Sequence, residues 1–203
     1  MIIGFTGKFG CGKTTIAKLL LTKLNHLGYK SIRKAFADFL REEVAELFDI
    51  ELDDLYHKKT KLIHRLKFKT FFNTDSMTIG TLLQKWGTDI RRSHNLNYWV
   101  EKFEKWYLDN KDQYIFVLVD DVRFKNEYDL VKKYGKCVRI YPYPEWEKEF
   151  VPKSGRDPNH QSEIDLDDKT DNEFDFVFHP SYGIDYLEIY ARQILDEIKK
   201  DVL

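Results

Sequence analysis

The chain has 203 residues, which is enough for one well-packed domain and too few for two large ones. Its formal net charge of −1 gives no strongly basic or acidic surface that would indicate a nucleic-acid or membrane partner. The two cysteines form no CxxC pair, no apolar stretch reaches transmembrane length, and the first strand leaves no room for a signal peptide, so we expect a reduced, cytoplasmic protein.

A phosphate-binding loop follows the first predicted strand. Residues 7–14 read Gly-Lys-Phe-Gly-Cys-Gly-Lys-Thr and match G-x-x-x-x-G-K-[ST], directly after an apolar run at 1–5. Gly7 and Gly12 let backbone N–H groups face a phosphate, Lys13 reaches the terminal phosphates, and the Thr14 hydroxyl is placed to ligate Mg²⁺. The next helix directs its positive dipole end at the same anion. A glycine-rich turn that merely caps a helix would not require this whole combination.

Strands and helices alternate after the loop. Apolar spacing predicts a helix at 16–27 that ends at Gly28, then a strand at 31–36 and a helix at 40–48. Between about 49 and 75 the periodicity fades, and lysines, arginines and phenylalanines accumulate. We expect a partly helical insertion there, followed by two helices with clear apolar stripes, through 79–90 and 99–107.

The strongest strand is the apolar run 114–119, which ends in Asp120 and Asp121. Such a run is typical of a central parallel strand that is buried on both faces. A helix at 126–134 that stops at Gly135, strands at 137–141 and 174–178, and a final helix from 184 complete the pattern. The polar residues 142–172 hold four of the five prolines and predict a mobile loop. The order predicts an α/β fold with a parallel sheet and ligands at the carboxyl ends of the strands.

Acidic residues near strand ends are the candidate metal and acid–base groups. Asp120 or Asp121 is placed to hold Mg²⁺ or its water shell, and we expect the other one to cap the next turn. Asp38 follows the second strand, where it either binds a substrate hydroxyl, assists proton transfer or caps a helix.

Arginines are the candidates for stabilising a transferring phosphate, because a guanidinium offers a planar, bidentate fit. Arg91, Arg92, Arg123 and Arg156 are available, and Arg156 lies in the polar segment that could close as a lid over the phosphates. A solvated loop charge is the alternative for Arg156. The basic and aromatic stretch 58–72 could hold single-stranded nucleic acid, but it is more typical of a charged helix face, so we do not expect a nucleic-acid partner.

Several further motifs make the chain resemble the bacteriophage-type deoxynucleoside monophosphate kinases, within the P-loop nucleoside monophosphate kinase group. They are spread in order over roughly residues 1–187. The run Asp-Val-Arg-Phe-x-Asn-Glu, together with Leu-Leu-Gln and Gly-Thr-Asp, is much more specific than the loop alone. The matching pieces are 7–15, Phe36-Ala37-Asp38 with Leu40 and Glu42, Leu82-Leu83-Gln84, Gly87-Thr88-Asp89 with Arg92, Asp121-Val122-Arg123-Phe124 with Asn126-Glu127, and His160-Gln161-Ser162-Glu163.

The resemblance implies transfer of the γ-phosphate of ATP to a deoxynucleoside monophosphate, with Mg²⁺. It also implies a three-layer P-loop fold with a sheet of about five strands, one domain over 1–203, an acceptor-binding insertion at about 49–112 and a lid at about 143–172. If the chain is viral, the host cytoplasm is the expected location. The implied ATP-binding residues are Gly7, Gly10, Cys11, Gly12, Lys13, Thr14 and Thr15; the catalytic ones Lys13, Asp38, Arg123 and Arg156; the acceptor-binding ones Asp38, Gln84, Trp86, Arg92 and Arg123; and the metal-binding ones Thr14, Asp120 and Asp121.

Other functions remain open on the sequence. A P-loop kinase of a non-nucleotide acceptor, such as a coenzyme precursor or phosphomevalonate, shares this architecture. A non-catalytic nucleotide-binding module would be expected to lack the metal carboxylate or the arginines. A switch-type GTPase is disfavoured, because neither Asp-x-x-Gly after the central strand nor Asn-Lys-x-Asp is present. A homodimer through the aromatic stripe 99–107 is open, although the same stripe suits a core, and the accepted base is not specified.

Overall fold

The structure is a computed structural model that describes residues 1–149, 159–181 and 183–201. Arg156 and part of the predicted lid lie outside the described residues. The chain divides into two compact units, one formed by 1–35 with the described part of 106–203, and the other by 36–105. No helix among the described residues is long and apolar enough to cross a membrane.

Strands and helices of the described residues follow in chain order. The strands are β1 (Ile2–Thr6), β2 (Ser31–Arg33), β3 (Leu62–His64), β4 (Ser76–Thr78), β5 (Phe116–Val122), β6 (Gly135–Ile140) and β7 (Phe176–Phe178). The helices are α1 (Lys13–His26), α2 (Phe36–Phe48), α3 (Leu52–His57), α4 (Lys67–Phe72), α5 (Ile79–Gln84), a π-helix (Lys85–Arg92), α6 (Tyr98–Asn110), α7 (Lys125–Tyr134), α8 (Trp146–Glu149), α9 (Gln161–Ile164) and α10 (Ile184–Ile198), with 3₁₀ turns at Asp171–Glu173 and Lys199–Asp201.

The first unit is built on a five-stranded sheet in the order β2-β5-β1-β6-β7. Every neighbouring pair in it is parallel, which confirms the predicted α/β class. Ile3 and Phe5 of β1 are fully buried in one apolar cluster with residues of α1 and α10. On β1 a side chain at Gly4 would place its Cβ 2.7 Å from Val131 of α7, so glycine permits that helix to approach the strand closely.

Two predicted strand ends are wrong by three residues each. The strand predicted at 31–36 stops at Arg33, and α2 begins at Phe36. Phe36 is buried, and its ring centroid lies 4.6 Å from that of Phe103. Phe36 is therefore apolar because it packs against another helix and not because it lies in a strand. The strand predicted to end at 119 continues to Val122, because Val122 still pairs with Thr6 of β1 after a register shift. Asp120 and Asp121 therefore lie within β5.

The second unit contains an antiparallel pair, β3 with β4, in which Ile63 faces Met77. This pair was not predicted, because three-residue strands are too short to show an alternating pattern. Phe68 of α4 is fully buried, and its ring centroid lies 5.1 Å from that of Phe48. The aromatic residues of the basic stretch thus contribute to a core. The predicted helix 79–90 is divided into α5 and the π-helix, which sequence periodicity does not reveal.

Glu43 connects three helical segments of the second unit. Its Oε1 accepts hydrogen bonds from Trp86 Nε1 at 2.8 Å and Arg91 Nε at 2.5 Å, and its Oε2 accepts from Tyr98 Oη and Lys102 Nζ, both at 2.6 Å. Burial acts to raise the pKa of Glu43, but the four donors together lower it to about 2. The ionised carboxylate on α2 is therefore hydrogen-bonded to both the π-helix and the start of α6.

Candidate active site

The phosphate loop runs from the end of β1 to the start of α1. Its glycines Gly7, Gly10 and Gly12 have φ values of 140°, 75° and 99°, in the left-handed range that favours glycine. At Gly7 a side chain would also place its Cβ 2.1 Å from the carbonyl oxygen of Ile140. The path of the loop therefore depends on glycine, as the motif predicts.

Lys13 lies inside this loop and is 6% exposed. Its Nζ donates hydrogen bonds to the carbonyl oxygens of Gly7 at 2.8 Å and Lys8 at 2.6 Å, and it lies 3.7 Å from Cys11 Sγ. Burial lowers the pKa of Lys13, and the charge of Arg123 acts in the same direction. The loop carbonyls thus hold the ammonium group in place against the loop.

Thr14 and Thr15 belong to the first turn of α1. Thr14 is exposed, and its hydroxyl has no hydrogen-bond partner among the residues that the structure describes, so it is available to a ligand. Thr15 is half-buried. Within the same described ranges, no group of three or more histidine, cysteine, aspartate or glutamate side chains could hold a metal ion. The exposed Thr14 hydroxyl at the start of α1 fits a P-loop metal site, in which a hydroxyl and phosphate oxygens supply the direct ligands.

Asp120 and Asp121 differ in their surroundings although they are adjacent. The Asp120 side chain is 1% exposed, and its Oδ1 lies 2.7 Å from Arg33 Nη2. Asp121 is half-buried. The two aspartates lie where β5 shifts its register against β1, between Val119 and Val122.

Arg123 lies just beyond β5, and Glu127 fixes its backbone. The buried Glu127 accepts hydrogen bonds at its Oε2 from the backbone N–H groups of Arg123 at 2.8 Å and Phe124 at 3.2 Å, at the start of α7. This bond explains the spacing of Arg and Glu in the family-like run. The Arg123 guanidinium forms an ion pair with Glu163 and donates to the carbonyl oxygen of Ser162 at 3.3 Å.

A cavity of about 260 Å³ lies in the first unit beside the loop. Its lining includes Gly7, Lys8, Arg123, Tyr141 and Glu163. Sequence reasoning quoted Glu163 only as part of a lid-like motif and missed that its carboxylate contacts the loop. That contact joins residues far apart in the chain, so no local pattern could have revealed it.

Arg139 of β6 anchors the residues that follow α9 and was also missed. It donates hydrogen bonds to the carbonyl oxygens of Leu166 at 2.6 Å and Lys169 at 2.7 Å. Its guanidinium lies 4.0 Å from the centre of the Phe174 ring. An arginine between the apolar residues Val138 and Ile140 of a predicted strand was the signal that could have singled it out.

In the second unit, Asp38 is 5% exposed and belongs to a small polar cluster. It accepts hydrogen bonds from Arg41 Nη1 at 3.1 Å and Tyr56 Oη at 2.8 Å. Burial and the bond to Asp38 raise the pKa of Tyr56 to about 12, so the phenol stays protonated as a donor. The Arg41 guanidinium also lies 4.4 Å from the Tyr56 ring centre. Arg41 was missed, although its spacing of three residues from Asp38 places both on one helix face.

The other predicted acceptor residues also lie in the second unit. Gln84 is the last residue of α5. Trp86 is 2% exposed and packs in the aromatic core, 5.3 Å from Phe48 between ring centroids. Arg92 is buried and donates to the carbonyl oxygen of Leu96 at 3.3 Å. Their roles toward a substrate stay predictions.

Comparison with known proteins decides the family. A family model described as deoxynucleotide monophosphate kinase matches residues 18–148. The chain belongs to this family. It is 30% identical over 176 residues to a protein of Acanthamoeba polyphaga mimivirus that is provisionally named a deoxynucleotide monophosphate kinase, and the match covers 82% of each chain. The resemblance seen in the sequence is thereby confirmed.

Solved structures of P-loop kinases share the architecture. A dephospho-CoA kinase from Campylobacter jejuni is similar with a TM-score of 0.50 and 17% identity, over 100% of this chain and 98% of that one. A shikimate kinase from Acinetobacter baumannii is similar with a TM-score of 0.46 and 14% identity, over 100% and 94%. At 17% identity the dephospho-CoA kinase shows the fold alone, and it confirms the predicted P-loop kinase fold.

Proposed function

We propose that this protein transfers the γ-phosphate of ATP to a deoxynucleoside monophosphate and so forms the diphosphate. The observation that carries the proposal is the phosphate loop with a buried Lys13 ammonium group held by its carbonyls, in a member of the deoxynucleotide monophosphate kinase family. The loop provides an anion site, and the family indicates which acceptor receives the phosphoryl group.

The donor site is assigned to the first unit. The loop from Gly7 to Thr15 would hold the phosphate chain of ATP through backbone N–H groups, supported by the N-terminal end of α1. The exposed Thr14 hydroxyl is the proposed direct protein ligand of Mg²⁺, and Asp121 is proposed to hold its water shell. When bound, Mg²⁺ neutralises charge on the phosphate oxygens.

Acceptor binding is assigned to Asp38, Gln84, Trp86, Arg92 and Arg123, as the sequence predicts, and we add Arg41. Arg41 is supported by its mostly buried guanidinium, which stacks on Tyr56 while one nitrogen donates to Asp38. A guanidinium fixed in this way is suited to a phosphate, since its orientation is already set. Because the Trp86 ring is buried in the aromatic core, Trp86 would contribute by packing and not through an exposed polar group.

In the reaction, an oxygen of the acceptor phosphate forms a bond to the γ-phosphorus of ATP as the bond from that phosphorus to the bridging oxygen breaks. ADP leaves with the electron pair of that bond, and an ionised acceptor phosphate needs no proton removed. Lys13 and Arg123 would stabilise the charge on the transferring group, with Arg156 as a further candidate outside the described residues. Positioning and charge therefore supply most of the catalysis.

A coupled assay of ADP release tests the proposal. The wild type is supplied with Mg-ATP and a panel of dGMP, dTMP, dCMP, dAMP, dUMP and the ribonucleotides, with a Lys13→Ala variant as the control. Turnover with one or a few deoxynucleotides that is lost in the variant supports the proposal and identifies the base. Absence of turnover across the panel, with ATP bound normally, contradicts it and favours a non-nucleotide acceptor or a non-catalytic module.

A further inference from the structure

Glu163 of α9 places its carboxylate against the phosphate loop. We propose that this carboxylate substitutes for a nucleotide phosphate in the ligand-free protein and that the phosphate chain of the nucleotide must displace it to bind. The inference rests on the proposed function, because it concerns the same donor site. It assigns to α9 a regulatory contact with that site.

The two oxygens of Glu163 contact two different phosphate-binding groups. Its Oε2 accepts a hydrogen bond from the backbone N–H of Phe9, within the loop, at 2.8 Å. Its Oε1 accepts from Arg123 Nη1. Loop N–H groups and guanidinium groups are the donors that phosphate oxygens use in proteins. A carboxylate between them therefore makes the contacts of an anionic ligand.

Glu163 is buried where it contacts these two donors. Its side chain is 5% exposed, whereas ionised carboxylates are seldom buried unless they are paired. The pairing with Phe9 and Arg123 offsets the loss of hydration. A phosphate that took over these donors would leave Glu163 without them, so its side chain would have to move toward water.

Further contacts hold α9 and the residues after it against the loop. Lys8 Nζ donates to the carbonyl oxygen of Glu163 at 2.7 Å and to Asp167 Oδ2 at 2.6 Å. On another side, the backbone N–H of Lys125 donates to Asp165 Oδ2 at 2.8 Å. None of these contacts uses the Glu163 carboxylate, so the carboxylate can leave the loop while the helix stays attached.

The test compares Glu163→Gln with Asp165→Asn. Each substitution removes one negative charge in or directly after α9 with little change in size, but only Glu163 contacts the loop N–H. The amide oxygen introduced by Asp165→Asn can still accept the hydrogen bond from the Lys125 N–H, so the helix stays attached. Calorimetry with Mg²⁺ and a non-hydrolysable ATP analogue, without acceptor, measures the affinity. We expect Glu163→Gln to bind about tenfold more tightly than the wild type, a factor that equals about 1.4 kcal/mol, and Asp165→Asn to bind within about twofold.

Several outcomes would overturn the inference. Equal or weaker binding by a folded Glu163→Gln variant would do so, as would the same gain in Asp165→Asn, since that would reflect net charge alone. If thermal melting shows that Glu163→Gln does not fold, Glu163→Asp replaces it: its shorter side chain cannot span both donors, so tighter binding is again expected and unchanged binding overturns the inference.

The outcomes also separate this inference from the proposed function. A wild type that binds no ATP analogue would contradict both. A wild type that binds the analogue but phosphorylates no deoxynucleotide would contradict only the acceptor assignment, and the comparison of Glu163→Gln with Asp165→Asn would still decide the role of Glu163.

Discussion

Arg33 Nη2 lies 2.7 Å from Asp120 Oδ1, and the Asp120 side chain is 1% exposed. Two adjacent aspartates at the end of β5 are equivalent candidates for the metal on sequence alone. In this ion pair Asp120 faces the neighbouring strand β2, and we predict that Asp121 supports Mg²⁺.

These different roles predict that two conservative substitutions affect different properties, one the stability and the other the Mg²⁺ requirement. Asp120→Asn should lower the free energy of unfolding by about 2 kcal/mol, since it removes the charge of a buried carboxylate that faces a guanidinium only 27% exposed. Asp121→Asn should instead raise the Mg²⁺ concentration for half-maximal activity by about tenfold, because a neutral amide holds the water shell of the metal less strongly than a carboxylate. Urea unfolding and Mg²⁺ titration of activity measure the two effects, and a metal effect confined to Asp120→Asn would reverse the assignment.

Lys13 is predicted to be essential for turnover. Removing its ammonium group in Lys13→Ala should lower kcat by about 10³-fold, because a preorganised charge at the transferring phosphate is lost. Lys18→Ala is the matched control, since Lys18 is an exposed lysine of the same helix and should retain full activity. Steady-state kinetics with thermal melting checks the pair. A folded Lys13→Ala variant that keeps more than about a tenth of the activity would contradict the role.

The low pKa of Glu43 predicts that the second unit loses stability in acid. Its pKa is about 2 in the folded protein, below the ordinary value of 4.5, so its contribution to stability is present above pH 4.5 and is lost as the pH falls toward 2. Glu43→Gln should lower the free energy of unfolding by about 2 kcal/mol at pH 7. The difference from the wild type should shrink as the pH approaches 2. Urea unfolding at several pH values measures it, and a difference that does not depend on pH would disprove the charged network.

Arg41 is predicted to bind the acceptor phosphate. Arg41→Lys should raise the KM for the deoxynucleotide by about tenfold and leave the KM for ATP unchanged, because lysine cannot reproduce a planar, oriented guanidinium. Arg65→Lys is the matched control in the same unit: Arg65 donates to the carbonyl oxygens of Phe48, His64 and Asp49, so its loss should affect stability alone. Steady-state kinetics at varied acceptor concentration measures the KM for the deoxynucleotide. An equal increase of this KM in both variants would show that Arg41 does not bind the acceptor.

Much of the fold could be predicted because its signals are local. The order of strands and helices follows from apolar periodicity, and β5 was evident as a continuous apolar run. The exact ends of β2 and β5 could not be predicted. Phe36 is an apolar residue that begins a helix, and Asp120 is a charged residue that lies within a strand. There, contacts with other elements outweigh the local preference of the residue.

The sequence by itself determined the phosphate loop and the family. Both depend on contiguous residues, in which glycines fix the backbone path and Lys13 and Thr14 follow at set positions. Only the tertiary structure decided that Glu163 contacts Phe9, that Asp120 pairs with Arg33 and that Glu43 gathers four donors. Local dihedral preferences and helical periodicity act between near neighbours, whereas pairing of distant polar groups depends on how the elements pack, and no short pattern encodes it.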